Sequence, residues 1–122
     1  FVAGHCMEVI GIEFVEEAVE LGEKHLPANM KLVQGKVEDH AKSLPKVDVV
    51  ILDPPRAGLH PKVIEALMRI EPKRIVYVSC DPATQARDIK ALLSAYKIER
   101  AGLVDLFPNT HHVETVCLLT RK

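Results

Sequence analysis

Features that define whole classes of proteins are missing from this 122-residue sequence. The longest apolar run is the six-residue stretch Val47–Leu52, which Asp48 interrupts, so a membrane-spanning helix is excluded. No signal or transit peptide is recognisable near the N-terminus. The three cysteines are widely spaced and form no CxxC pair, which disfavours a zinc ribbon or a redox dithiol. We therefore expect a reduced, cytoplasmic protein with no membrane partner.

The sequence also lacks a strong excess of charge of either sign. Its formal net charge is −1, which argues against a stand-alone polyanion binder. Residues 1–61 are nevertheless acidic on balance and residues 62–122 basic, so the second half is favoured as the face for an anionic partner. The length and the hydrophobic content of 48% fit one domain with a single core.

Apolar β-branched runs alternate along the chain with patterns of helical period. The predicted strands are Val9–Ile12, Lys31–Gln34, Val47–Leu52, Arg74–Ser79, Ile98–Leu106 and Val113–Leu119. One predicted helix runs from Val15 to Leu26 and another starts at Pro61. A third starts at Asp81-Pro82, with Ala86, Ile89, Leu93 and Tyr96 as its apolar face. This alternation predicts an α/β fold with a mostly parallel sheet, helices on both faces and an antiparallel C-terminal strand.

Ligands of open α/β sheets bind at the carboxyl ends of the strands, so the residues that follow each strand are the candidates for a site. Glu13 ends the first strand, where a carboxylate can accept hydrogen bonds from ribose hydroxyls; the alternative is a solvated acid. Asp53 opens the segment DPPRAG after an apolar strand, and its two prolines form a rigid wall for a flat ligand. An ordinary loop is the less favoured interpretation.

Cys80 follows the strand RIVYVS and directly precedes a helix start, where the helix dipole favours a thiolate. This position predicts a nucleophile, whereas Cys117 lies within an apolar strand and is predicted to be core. Glu114 enters the last strand and is either a general base or a surface carboxylate. A metal site formed by His111, His112 and Glu114 is disfavoured, because adjacent strand residues point to opposite faces, and we expect no metal.

Four motifs, in order, resemble the RNA 5-methyluridine (uracil-5) methyltransferases: VIGIE, DPPRAGL, RIVYVSCDPAT with ARD, and VDLFPNTHHVE. The resemblance runs from about Val9 to Arg121. It implies a Rossmann-like fold, the cofactor S-adenosyl-L-methionine and methylation of uridine C5 in ribosomal or transfer RNA. It also implies site roles for individual residues: Cys80 as nucleophile, Glu114 as base, and Glu13, Lys36 and Asp53 at the cofactor.

The sequence departs from the family pattern in three respects. Lys36 stands where the family usually has Asp or Asn, and Asp81 replaces the more usual Asn. The family's first strand and glycine-rich loop are missing before Phe1, so residues 1–122 are expected to be the C-terminal part of a catalytic domain. The gap falls between the strand that ends at Glu13 and the strand Val47–Leu52, and the exposed edges predict self-association.

Two other functions remain open from the residues. An amino-methyltransferase also carries a D/N-PP motif after a strand, but it needs neither the nucleophilic cysteine nor the FPNTHHVE segment. A non-catalytic RNA- or partner-binding module is the alternative from another class. A covalent RNA adduct discriminates between uracil-5 and amino methylation, and cofactor binding by the full-length gene product separates an enzyme from a binding module.

Overall fold

The structure is a computed structural model that describes residues 2–106, 108–110 and 113–122. The chain divides into two compact units, Phe1–Ser43 and Leu44–Lys122, which we call unit 1 and unit 2. Within the described residues, no helix is both long and apolar enough to span a bilayer. The assignment of residues 1–122 to one partial catalytic domain stays a prediction.

Unit 1 is a two-stranded parallel sheet with short helices. After a 3₁₀ helix, Val2–His5, its elements are β1 (Val9–Glu13), α1 (Glu16–Glu23), β2 (Met30–Gln34) and α2 (Val37–His40). The pairing of β1 with β2 runs from Val9 opposite Met30 to Glu13 opposite Gln34, so both strands end at the same edge. Helix α1 is shorter than its apolar pattern predicts and ends at Glu23, so Leu26 lies beyond it.

Unit 2 contains a four-stranded mixed sheet. Its elements are β3 (Val49–Leu52), α3 (Pro61–Ile70), β4 (Arg74–Ser79), α4 (Pro82–Leu92), β5 (Tyr96–Val104) and β6 (Glu114–Arg121). The strand order is β3-β4-β6-β5, in which β3 and β4 are parallel and β6 is antiparallel to both of its neighbours. The predicted antiparallel C-terminal strand is confirmed. Pro108 and Asn109 form a turn as predicted, while Phe107, His111 and His112 lie outside the described residues.

The core of unit 2 lies on one face of this sheet, where α3 and α4 contact each other. Ile75, Tyr77 and Leu119 from β4 and β6 have no solvent-exposed surface. The helices cover them with Val63, Ala66, Leu67, Ile70, Ile89 and Leu92. The run Val47–Leu52 has the apolar pattern of a buried strand, but only one face of β3 is buried. Val49 and Ile51 are about half exposed, at 47% and 53%, because they face away from the side that carries Leu52 and Tyr77.

The predicted apolar face of α4 is confirmed at Ile89 and wrong at Ala86, Leu93 and Tyr96. The residues that α4 buries are Gln85, Asp88, Ile89 and Leu92, while Ala86 is exposed and Tyr96 belongs to β5. Gln85 and Asp88 are polar and nevertheless almost fully buried. Their hydrogen bonds to strand and loop atoms satisfy them there, which is the condition for burying polar groups at low cost.

The described strands of unit 1 and of unit 2 form two separate sheets. Among the described residues, β1 pairs with β2 and β3 pairs with β4, and no ladder joins the two sheets. Among the described residues, β1 and β3 therefore each have one unpaired edge.

Candidate active site

The carboxyl end of β4 and the amino end of β6 meet at one edge of the unit 2 sheet. The last residue pair of this ladder is Ser79 with Thr115, and the Thr115 hydroxyl donates to the Ser79 carbonyl at 2.9 Å. Cys80 and Glu114 each lie one residue beyond this pair, and both are half-buried. The ladder thus brings the predicted nucleophile and the predicted base to the same edge of one sheet.

The start of α4 lies directly after Cys80. Asp81 caps the helix, because its carboxylate accepts hydrogen bonds from the N–H groups of Ala83 and Thr84, both at 3.0 Å. The hydrogen bond from Thr84 is the main cause that lowers the pKa of Asp81, and the nearby charge of Arg56 adds to it. Asp and Asn are both good capping residues, so the departure from Asn at this position keeps the geometry of the helix start.

The loop after β3 approaches the same edge. Leu52 pairs with Tyr77 in the parallel ladder, so Asp53 leaves the sheet on the side where β4 ends, and it is exposed there. Within the loop, Gly58 has a φ of +80°, and its N–H donates to the Pro55 carbonyl at 2.8 Å. The carboxyl ends of β3 and β4 therefore place Asp53 and Cys80 at one edge, as the sequence predicts.

The other two candidates, Glu13 and Lys36, lie in unit 1. The Glu13 carboxylate accepts a hydrogen bond from the N–H of Val15 at 2.8 Å, which fixes it at the end of β1. The N–H of Gly35, just before Lys36, donates to the Glu13 carbonyl at 2.9 Å. The Lys36 ammonium lies 5.5 Å from the centre of the Phe14 ring. The end of the unit 1 sheet thus gathers both candidates at one edge.

The other two cysteines have different surroundings from Cys80. Cys117 is buried, and this burial raises the pKa of its thiol, so it remains protonated as a core residue. Cys6 is exposed in unit 1 and, like the others, is a free thiol. His111 and His112 lie outside the described residues, and no cluster of three metal-ligating side chains occurs among the residues that are described.

Sequence reasoning missed a buried group beside the loop after β3. Asp88 of α4 is 1% exposed and accepts hydrogen bonds from the Tyr77 hydroxyl at 2.8 Å and from the Leu59 N–H at 2.7 Å. Burial and the hydrogen bond to Asp88 raise the pKa of Tyr77, so its hydroxyl stays a donor. Asp88 belongs to the motif ARD that carries the resemblance, but the apolar pattern of α4 gave no sign that this residue is buried.

Several solved structures with this arrangement of strands and helices are methyltransferases. The N-methyltransferase NodS of Bradyrhizobium japonicum matches 98% of the chain and 69% of its own length, with a TM-score of 0.76. The two sequences are 12% identical, so this match shows the fold alone. The chain therefore has the Rossmann-like methyltransferase fold, in agreement with the predicted fold class.

The sequence profile of the tRNA (uracil-5-)-methyltransferase family matches residues 33–122, and the chain belongs to that family. A tRNA (uracil-54, C5)-methyltransferase of Pyrococcus abyssi, solved with S-adenosyl-L-homocysteine, matches 98% of the chain with 36% identity and a TM-score of 0.80. An uncharacterised RNA methyltransferase of Bacteroides thetaiotaomicron is 46% identical over 132 residues. The chain spans 30% of the Pyrococcus protein and 28% of the Bacteroides protein.

Proposed function

We propose that the full-length product of the gene that encodes this chain methylates C5 of a uridine in transfer or ribosomal RNA, with S-adenosyl-L-methionine as methyl donor and through a covalent adduct to Cys80. The observation that supports this most is the ladder of β4 with β6, since Cys80 and Glu114 each lie one residue beyond its last pair. A nucleophile and a base at one sheet edge form the pair that this reaction needs.

The chemistry follows from the weak nucleophilicity of uracil C5. The Cys80 sulfur adds to C6 of the base, and the electron pair of the broken C5–C6 double bond becomes available at C5. C5 would use this pair to bond the methyl carbon of the donor, and the electron pair of the broken sulfur–methyl bond would stay on the sulfur, so that S-adenosyl-L-homocysteine leaves. The Glu114 carboxylate then takes the C5 proton, and the electrons of that C–H bond restore the double bond and expel the Cys80 thiolate. Because the reacting atoms face neighbouring bases in a stack, the target uridine must first be extruded from it.

The chain supplies polar groups of the right chemistry for a nucleoside cofactor. When bound, S-adenosyl-L-methionine supplies an electrophilic methyl carbon. Glu13 holds the ribose, since a carboxylate at a strand end accepts hydrogen bonds from hydroxyls, and Asp53 contacts the cofactor beside the target base. Lys36 carries only donors, whereas Asp and Asn offer acceptors, so its contact must be to acceptor atoms of the cofactor.

The test is the substitution Cys80→Ala in the full-length gene product, with Cys6→Ala as the matched control. Methyl transfer from labelled cofactor to RNA should fall below detection in Cys80→Ala, and cofactor binding measured by calorimetry should be largely retained. Cys6→Ala should keep wild-type turnover, because Cys6 is an exposed thiol in unit 1. Retained turnover by Cys80→Ala would refute the covalent mechanism and favour an amino-methyltransferase.

A further inference from the structure

Four donor groups converge on one buried carboxylate in unit 2. Oδ2 of Asp88 accepts from the Leu59 N–H at 2.7 Å and from the Tyr77 hydroxyl at 2.8 Å. Oδ1 accepts from Nε of Arg87 at 2.9 Å and from its Nη2 at 2.8 Å. A buried ionised carboxylate is costly unless it is paired and fully hydrogen-bonded, and Asp88 meets both conditions.

Two hydrogen bonds join the Arg87–Asp88 pair to the loop after β3. The Leu59 N–H belongs to this loop, and Nη2 of Arg87 also donates to the Ala57 carbonyl at 2.8 Å. Arg87 thus joins the Asp88 carboxylate to the loop backbone. One contact, from Tyr77, reaches the core instead. If position 88 only had to pack against the core, an apolar side chain of similar size would stabilise the fold at least as well as Asp88.

Gly58 shows how closely the loop fits against this pair. A Cβ atom on Gly58 would lie 2.5 Å from Nη2 of Arg87 and 2.5 Å from Oδ2 of Asp88. The loop backbone therefore approaches the two side chains at a distance that only glycine allows. The same loop begins with Asp53 and carries Arg56, whose charge acts on Asp81 at the start of α4.

We propose that Asp88 and Arg87 are positioning residues that hold the loop of residues 53–59 in the one conformation in which Asp53 meets the cofactor and the target base. The proposal rests on the proposed function, because it deepens the role of that same site. Neither residue touches the reacting atoms. Both act through the backbone of Ala57 and Leu59.

The experiment uses three variants of the full-length gene product. Asp88→Asn keeps the shape but turns an NH₂ group toward a donor in either orientation of the amide. Arg87→Gln removes the link to Ala57 but keeps an amide NH₂ group that can donate to the Asp88 carboxylate, and the Arg87 side chain is 58% exposed. Tyr77→Phe is the matched control, since it removes the contact on the core side and leaves the contacts to the loop.

Two readouts are measured for each variant. The first is the ratio of the amide hydrogen-exchange rate of Leu59 to that of Ile75 in β4, which cancels changes in global stability. The second is kcat/KM for S-adenosyl-L-methionine in RNA methylation. Asp88→Asn and Arg87→Gln should each raise the exchange ratio and lower kcat/KM by at least about tenfold. Tyr77→Phe should change neither quantity by more than about twofold, even if it lowers the stability of the whole unit.

The outcomes separate this proposal from the proposed function. The proposal that the pair fixes the loop is refuted if the exchange ratio is unchanged in both Asp88→Asn and Arg87→Gln. It is also refuted if Tyr77→Phe changes the ratio by the same factor. A raised ratio with unchanged kcat/KM overturns the positioning role in catalysis. If Asp88→Asn does not fold, Arg87→Gln decides the same questions. A wild-type protein that methylates no uridine refutes the proposed function, and the exchange ratio then still decides whether the pair holds the loop.

Discussion

Replacing Gly58 with alanine should destabilise unit 2 through a defined set of contacts. Gly58 has a φ of +80°, and an L-residue in the left-handed region costs roughly 1–2 kcal/mol. The new methyl group would also overlap Oδ2 of Asp88, which accepts the Leu59 N–H. Displacing Asp88 leaves that buried donor without its partner, at a cost of about 1–3 kcal/mol.

A smaller term opposes these costs. Alanine has fewer conformations than glycine in the unfolded chain, which stabilises the folded state by about 0.4–1 kcal/mol. The net expectation is that Gly58→Ala lowers the free energy of unfolding by about 1–5 kcal/mol. Gly102→Ala is the matched control in the same unit. A Cβ at Gly102 meets no atom within 4 Å, so this change should be neutral or stabilise by up to about 1 kcal/mol.

The free energy of unfolding can be measured by unfolding the 122-residue chain in urea and following its tyrosine fluorescence. The sequence has two tyrosines and no tryptophan, and both tyrosines, Tyr77 and Tyr96, are buried in unit 2. The signal therefore reports the unfolding of unit 2. If Gly58→Ala and Gly102→Ala unfold with free energies within about 0.5 kcal/mol of each other, the close fit of the loop against Arg87 and Asp88 is refuted.

Two further predictions concern the acid stability and the assembly of the chain. Because the pKa of Asp81 is lowered, the stability from its helix cap is fully present above pH 3.8 and is lost as the pH falls through the lowered pKa. Asp81→Asn should therefore make stability fall less steeply with pH below 3.8, while stability at neutral pH is kept. An equally steep fall in the variant would contradict this. The 122-residue chain should self-associate in sedimentation and should bind S-adenosyl-L-methionine weakly. Ile51→Lys, on the exposed face of β3, should reduce the self-association. A monodisperse monomer that binds S-adenosyl-L-methionine with micromolar affinity would contradict both expectations.

The strand ends were the most predictable part of the fold. The apolar, β-branched run Arg74–Ser79 is bounded by Lys73 and by Cys80-Asp81-Pro82, and β4 has the predicted bounds. Because the ends of strands carry the candidate site, this local signal was sufficient to nominate Glu13, Asp53, Cys80 and Glu114. Their chemical roles remain a proposal, which Cys80→Ala and Glu114→Gln test for the nucleophile and the base.

The buried face of α4 could not be predicted in the same way. Hydrophobic periodicity weighs side chains by apolar character, so Ala86 and Leu93 outranked Gln85 and Asp88. Two of the partners that make burial of these polar residues favourable lie far along the chain: Gln85 donates to the carbonyl of Thr115, and Asp88 accepts from the N–H of Leu59. A contact across 29 residues leaves no trace in a local pattern.

The apolar run at β3 misled for a different reason. Its sequence is apolar at every position from Val49 to Leu52, which indicates a strand covered on both faces. Pairing with β4 determines only which residues share a face, and Val49 and Ile51 share the one opposite Leu52. An apolar sequence shows that a residue is favourable to bury. Whether another element covers that residue is decided by the tertiary structure.

The central claim, a covalent uracil-5 reaction at Cys80, is tested most directly by trapping the adduct. Glu114→Gln in the full-length gene product keeps the shape of the side chain but cannot take the C5 proton, so the methylated base should stay bonded to the enzyme. Mass spectrometry of the protein–RNA species formed with S-adenosyl-L-methionine should locate the methylated nucleotide on Cys80. No adduct, or one on Cys6 or Cys117, would contradict the mechanism.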